Sequence, residues 1–228
     1  MEDGSTIQLG IGGIPNAVAL ALRDKHDLGV HTEMMVDSVM ELYEAGVVTN
    51  AKKALMKGKI ICTFAMGSRA LYDWLDDNVE VQFERGRWVN DPAVVRQNSR
   101  MVSLNTCLMV DFTGQVASES IGTNQYSGTG GQADTAVGAV EGFDGLGKSI
   151  IACYSTAKGG TVSTIVPTLP EGTAVTLHRS NVDHVVTEHG IARLRGRTVR
   201  ERTRELIAVA HPDFRADLEA KAKKLGYW

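Results

Sequence analysis

Two short stretches of this chain carry residues whose types and spacing suit acyl chemistry. Gly10-Ile11-Gly12-Gly13-Ile14-Pro15-Asn16-Ala17 is a glycine turn, and His31-Thr32-Glu33-Met34-Met35 follows one β-α step later. A turn without Cβ atoms brings backbone N–H groups close to a bound oxygen, and at a helix start those groups are unpaired and sit at the positive end of the helix dipole. A carboxylate on the neighbouring strand end, held ionised near another helix start, is a competent nucleophile. Together the two stretches suggest acyl transfer through glutamate. The same glycines fail the dinucleotide fingerprint, since the GxGxxG spacing counted from Gly10 needs glycine where Pro15 stands.

Further candidates lie along the chain. Gly128-Thr129-Gly130-Gly131 is a second run that can approach a ligand without side-chain obstruction, just before a helix predicted from Gln132. Lys158, in Ala157-Lys158-Gly159-Gly160, offers a positive charge after a strand, for a phosphate, a carboxylate or simply solvent. Glu188 and Glu119 are rival carboxylates, ranked after Glu33 in that order because Glu188 ends a strand near a glycine turn and Glu119 sits on a hairpin strand. His31 reads as positioning Glu33. The histidines show no HExxH or i, i+4 pairing, and Ser118 and Ser120 lie in no GxSxG elbow, so a metal centre and a serine hydrolase find no support. Cys62, Cys107 and Cys153 sit in apolar runs without CxxC spacing and read as buried thiols.

The elements that must position these residues read as α/β, an open mixed, largely parallel sheet with flanking helices. Short apolar runs alternate with helical patterns in the first half: strands at 6–9, 28–31, 59–64 and 79–83, and helices starting near Pro15, Asp37 and Ser68. Asp37 and Ser68 are expected caps, and 36–45 an amphipathic helix presenting Val36, Val39, Met40 and Tyr43 and ended by Gly46. Parallel β-α units point the same way, so the glycine turn and Glu33 share one sheet edge. The middle reads antiparallel, with strands at 101–104, 108–112 and 115–119 and Thr113-Gly114 as a hairpin turn. Strands at 149–154, 161–166, 174–177 and 184–186 and helices at 199–210 and 213–225 complete the pattern. Lys52, Lys53, Lys57 and Lys59 are expected on a solvated helix face. Residues 1–228 read as a single domain.

The 228 residues are 43% hydrophobic, enough for a proper core, and carry a formal charge of −3 with no basic stripe. Nucleic acid is not an expected partner. No apolar run approaches the roughly 18 to 20 residues of a membrane span, and the acidic start does not suit a signal peptide, so the expected location is cytoplasmic.

Matching segments run nearly end to end with one known family. They include 10–17, Gly29-Val30-His31-Thr32-Glu33-Met34, Val48-Thr49-Asn50, Asn90-Asp91-Pro92, 110–116, 127–132, Val186-Thr187-Glu188-His189-Gly190 and 210–215. On these, the chain resembles the C-terminal half of the acetyl-CoA hydrolase/transferase family, class I CoA-transferases that include 4-hydroxybutyrate and butyrate:acetate CoA-transferases. The resemblance implies Glu33 as nucleophile, Gly10, Ile11, Gly12 and Gly13 in contact with coenzyme A, and Gly128, Gly130 and Gly131, with Leu108 beside them, lining the coenzyme. It implies acyl-CoA and short carboxylic acids as substrates, a glutamyl-CoA thioester, no metal and an oligomer. Acyl-CoA hydrolysis is the close alternative, and a non-catalytic CoA-binding subunit a third. Family members usually carry a similar-sized N-terminal half before the glycine turn, so a second subunit, or the rest of a longer chain, is an expected partner. Glu84-Arg85-Gly86-Arg87-Trp88-Val89 departs from the family's usual lead into Asn-Asp-Pro.

Overall fold

A computed structural model describes residues 1–10 and 12–228. The chain folds as two compact units, Met1–Asn105 with Asp134–Ser149, and Thr106–Ala133 with Ile150–Trp228. In chain order the first unit contains β1 (Thr6–Leu9), α1 (Gly13–Ala21), β2 (Gly29–Val30), β3 (Met34–Met35), α2 (Asp37–Glu44), β4 (Ile60–Cys62), β5 (Phe64–Ala65), α3 (Arg69–Leu75), β6 (Val81–Phe83), α4 (Gly86–Val89), α5 (Pro92–Val95) and nearly all of β7 (Val102–Thr106). There follow β8 (Met109–Asp111), β9 (Val116–Ala117), β10 (Ser120–Ile121), β11 (Asn124–Gln125), α6 (Gln132–Val140), β12 (Lys148–Ala152), β13 (Thr156–Ala157), β14 (Val162–Ser163), β15 (Ile165–Val166), β16 (His184–Thr187), β17 (Gly190–Arg193), α7 (Val199–Val209) and α8 (Pro212–Lys224). Most of α6 belongs to the first unit, and β12 passes from the first to the second.

The expected mixed α/β fold with a largely parallel central sheet is present. In the first unit β1 pairs in parallel with β2 (Ile7↔Val30) and with β7 (Gln8↔Ser103, Leu9↔Leu104). These strands are buried on both faces, which explains runs such as Thr6-Ile7-Gln8-Leu9 with no exposed position. In the second unit β12 and β16 are parallel (Ile151↔Val185), β16 and β17 antiparallel, and β8 and β9 form the expected hairpin, with Gly114 at φ 91° in its turn. No helix among the described residues is long and apolar enough to cross a membrane.

Several local expectations differ. The strand expected at 59–64 is two strands, because the ladder changes partner at Thr63: β4 pairs with β6, β5 with β3, and the N–H groups of Thr63 and Phe64 turn to the Glu33 carbonyl at 2.8 and 3.2 Å. Asp37 does not cap α2, whose cap residue is Val36; its carboxylate instead accepts the N–H and O–H of Ser68, itself the expected cap of α3. The face that α2 buries holds Ser38, Val39 and Leu42. Lys53 is not on a solvated helix: residues 51–59 are turns, and its ammonium is inside. The stretch 174–177 is irregular, with Leu177 alone bridging to Val116, and β17 adds a strand beside β16 where none is expected.

Candidate active site

Parallel pairing sets three strand ends of the first unit side by side: Thr32-Glu33 beyond β2, Leu9-Gly10 at the end of β1, and Leu104-Asn105 in β7. The contacts are direct. Thr32 Oγ1–H donates to the Leu9 carbonyl at 3.3 Å, and Gly10 N–H donates to the Leu104 carbonyl at 2.8 Å. Glu33 is half-buried, and its carbonyl is the pivot between β4 and β5 described above. The expectation that the glycine turn and Glu33 lie on one sheet edge is thus met for Gly10 and Glu33, while Ile11 lies outside the described residues.

Glycine is required at two places in this turn. A Cβ on Gly10 would stand 2.7 Å from Asn105 Oδ1 and 3.2 Å from the Leu104 carbonyl, so the close approach of β1 and β7 depends on its absence. Gly12 has φ 123° and ψ −178°, a conformation essentially reserved for glycine, and caps α1 without any side-chain hydrogen bond. A Cβ on Gly12 or Gly13 would meet nothing within 4 Å, and both residues are exposed. The turn therefore offers open, unobstructed backbone at a helix start with Pro15 in its first turn.

Beneath Gly10 lies a buried polar network that sequence reasoning missed. Ser103 Oγ–H donates to Gln8 Oε1 at 2.8 Å, Asn105 Nδ2 donates to the same oxygen at 3.1 Å, and Gln8 Nε2 donates to Asn105 Oδ1 at 3.2 Å. Thr135 Oγ1, on α6, lies 3.0 Å from Ser103 Oγ. The signal was available: Gln8 alternates with Ile7 and Leu9, and Ser103 and Asn105 with Val102 and Leu104, so each strand sets these amide or hydroxyl side chains on one face. Thr135 brings its neighbour Asp134 with it. Burial first, then the charges of Glu33 and of Asp91, push the Asp134 carboxyl above the usual carboxylate range, so three carboxyl groups of this unit interact.

His31 is fully buried, and its Nε2–H donates to the Val89 carbonyl at 2.8 Å while its ring meets Trp88 at 5.8 Å. Burial outweighs that hydrogen bond, with the Lys53 charge adding to it, and pushes the imidazole down to about 4, so it is neutral near pH 7. Lys53, 3% exposed, donates to the carbonyls of Val30 and Lys59 at 2.8 and 2.7 Å, and burial pushes its amine down to about 7. Both side chains brace the backbone that leads into Glu33.

The remaining candidates are in the second unit. Leu108 N–H donates to the Ala117 carbonyl at 2.8 Å. Gly128 and Gly130 are exposed, a Cβ on either would meet nothing within 4 Å, and the buried Gly131 directly precedes α6. Lys158 is exposed at the tip of the β13–β14 hairpin, with φ 49°. Glu119, ranked last, is 6% exposed and tied to this glycine segment: its carbonyl accepts Tyr126 N–H at 2.7 Å and Ser127 N–H at 3.3 Å. Glu188 receives Ser155 O–H at 2.6 Å and Ser155 N–H at 2.9 Å; burial pushes its carboxyl up, but these bonds together with His189 outweigh it and hold it below the usual range. Cys62 and Cys153 are buried and Cys107 half-buried, all three as free thiols. Among the described residues, no group of three or more His, Cys, Asp or Glu is placed to hold a metal ion.

Residues 67–222 match the acetyl-CoA hydrolase/transferase C-terminal domain. Over 98% of its length the chain is 52% identical to the 4-hydroxybutyrate coenzyme A transferase of Clostridium kluyveri, and over 99% it is 47% identical to the succinyl-CoA:cyclohexane-1-carboxylate CoA transferase of Geobacter metallireducens. An acetyl-CoA hydrolase of Kluyveromyces lactis is 31% identical over 93% of the chain. The crystal structure of RipA from Yersinia pestis superposes with a TM-score of 0.94 at 41% identity, covering 99% of this chain and 50% of that one. The chain spans about half the length of the curated relatives it matches, 52% and 51% for the first two.

Proposed function

The chain belongs to the acetyl-CoA hydrolase/transferase family, and from that premise we propose that it carries the nucleophile of a CoA-transferase acting on short carboxylic acids. The observation that supports this most is the Thr32–Leu9 hydrogen bond, which sets Glu33 beside a glycine turn whose helix start has no side-chain cap. In this reading the Glu33 carboxylate attacks the thioester carbonyl of an acyl-CoA, and the C–S bond breaks to release CoA thiolate and leave a mixed anhydride. The thiolate then attacks the glutamyl carbonyl, freeing the first acid and leaving a glutamyl-CoA thioester. A second carboxylate runs the two steps in reverse.

Backbone N–H groups of the glycine turn stabilise the oxyanions, at roughly 3 kcal/mol for a well-placed donor. The same reading assigns coenzyme contacts to Gly10, Ile11, Gly12 and Gly13, and, considered separately, to Leu108, Gly128, Gly130, Gly131 and Lys158. It takes 1–228 as one C-terminal-type domain, with 4-hydroxybutyrate, butyrate or acetate as the acids, in a cytoplasmic oligomer. Transferase is preferred over hydrolase because the relatives of higher identity carry transferase names. A second reading, a CoA-binding part that turns over only with a further segment or subunit, is favoured by the half-length match.

Exchange of labelled acetate into acetyl-CoA tests these readings on the protein purified from its source. A transferase exchanges label without a second acid, since the first half-reaction is reversible. Net thioester loss without exchange identifies a hydrolase, and CoA binding with neither identifies the non-catalytic part.

A further inference from the structure

Two of the three cysteines meet inside the second unit, where the Cys107 thiol donates a hydrogen bond to the Cys153 sulfur. Cys153 is buried and Cys107 half-buried. One threonine holds the two segments in place. Thr164 N–H donates to the Ser155 carbonyl at 3.0 Å and its Oγ1–H to the Tyr154 carbonyl at 2.7 Å, while its own carbonyl accepts Val110 N–H at 2.9 Å. Thr164 Oγ1 also lies 3.9 Å from Cys153 Sγ. The residues that follow each cysteine thus hang on the same threonine, and the approach of the two sulfurs is built into the backbone.

The two sulfurs are not alike. The hydrogen bond from Cys107 holds the Cys153 thiol below the ordinary thiol range against the opposing effect of burial, and the same bond, with burial adding to it, pushes Cys107 up. Cys153 therefore has the thiolate character and Cys107 keeps its proton, which is the division between an attacking and a resolving thiol. Cys62 offers a contrast. It lies in the first unit with no exposed surface, and burial pushes its thiol up to about 12.

We propose that Cys107 and Cys153 form a site of reversible oxidation, at which hydrogen peroxide closes a disulfide within the chain. The Cys153 thiolate attacks one peroxide oxygen, the O–O bond breaks, and the departing hydroxide leaves as water with the Cys153 proton, giving a sulfenic acid. The Cys107 sulfur then attacks that sulfur, the S–O bond breaks, and the second hydroxide leaves as water with the Cys107 proton. Two thiols and one peroxide become one disulfide and two waters: the sulfurs lose two electrons and the peroxide gains them. A small-molecule thiol reverses the step by exchange. The bond would join the two ends of the stretch that contains Asp134–Ser149, the segment by which the chain leaves this unit before returning at Ile150. The site is independent of the CoA-transfer reading, and either can fail alone.

Peptide mapping of the reduced, folded protein after treatment with hydrogen peroxide tests this, with the remaining thiols alkylated in denaturant before digestion. The expected product joins the Cys107 and Cys153 peptides within one chain, leaves Cys62 alkylated, and disappears on treatment with dithiothreitol. Two variants check the order of events. Cys107→Ser, which lacks the resolving sulfur, should halt at a Cys153 sulfenic acid that dimedone captures, and Cys153→Ser should slow oxidation at Cys107 by about tenfold or more. The wild-type map decides the proposal even where a variant fails to fold. Recovery of Cys107 and Cys153 as free thiols from excess peroxide overturns it, as does oxidation of Cys62 at the same rate. A Cys153 that passes unlinked to sulfinic acid, or a linkage found only between chains on a non-reducing gel, overturns it equally.

Discussion

Glu33 is anchored through its main chain, whose carbonyl accepts the N–H groups of Thr63 and Phe64, and its charge reaches Asp134. Removing that charge must relieve the part of the Asp134 shift that it causes. Glu33→Gln should bring the Asp134 carboxyl back toward the ordinary range, which carboxyl-carbon NMR titration reads directly; an unmoved Asp134 titration would show that the two do not interact. His31 makes a second prediction at this scale. Its imidazole is pushed down to about 4 from an ordinary 6.5, so as pH falls the unfolded chain takes up the proton first. The contribution of His31 is therefore complete above pH 6.5 and is lost as pH drops toward 4, by up to about 3 kcal/mol. Urea unfolding of wild type and His31→Gln across that range should give curves that differ in slope there and run parallel above it.

At the scale of elements, the turn between β1 and α1 has two glycines required for different reasons, and substitutions should separate them. Gly10→Ala drives a Cβ against Asn105 Oδ1 and disturbs the Gln8–Ser103–Asn105–Thr135 network, costing about 1–3 kcal/mol of stability in urea unfolding. Gly12→Ala meets no atom, so any loss, again about 1–3 kcal/mol, comes from backbone strain alone. A structure of Gly10→Ala should show β1 and β7 shifted, and one of Gly12→Ala should not. The β-α order of the first half, the two closing helices and the Thr113-Gly114 hairpin were legible because period and turn chemistry are local. The break at Thr63 and the helical turns of α4 and α5 were not, since the first depends on a partner about thirty positions away and the others are too short to show a period. Asp37 misled for a related reason: it has the composition of a cap, but Ser68 competes for its oxygens and wins.

At the scale of the molecule, the first unit is closed by residues that return from far along the chain. Asp134 joins Glu33 and Asp91 only through Asp134–Ser149, after the chain has left that unit at Asn105, and no local pattern announces such a return. The glycine turn and Glu33 could be read together because they are one β-α step apart; the carboxyl group that senses Glu33 could not. Because the chain spans about half of its relatives' length, the account also predicts that CoA exchange by residues 1–228 alone is at least about 100-fold slower than by a protein of the relatives' full length, measured with labelled acetate. The most direct test of the central claim is covalent trapping. The protein is incubated with acyl-CoA, reduced with borohydride or cleaved with hydroxylamine, and mapped by peptide mass spectrometry. The account predicts a mass change on Glu33 that disappears in Glu33→Gln; a change on Glu188 or Glu119, or none in a protein that exchanges CoA, would contradict it.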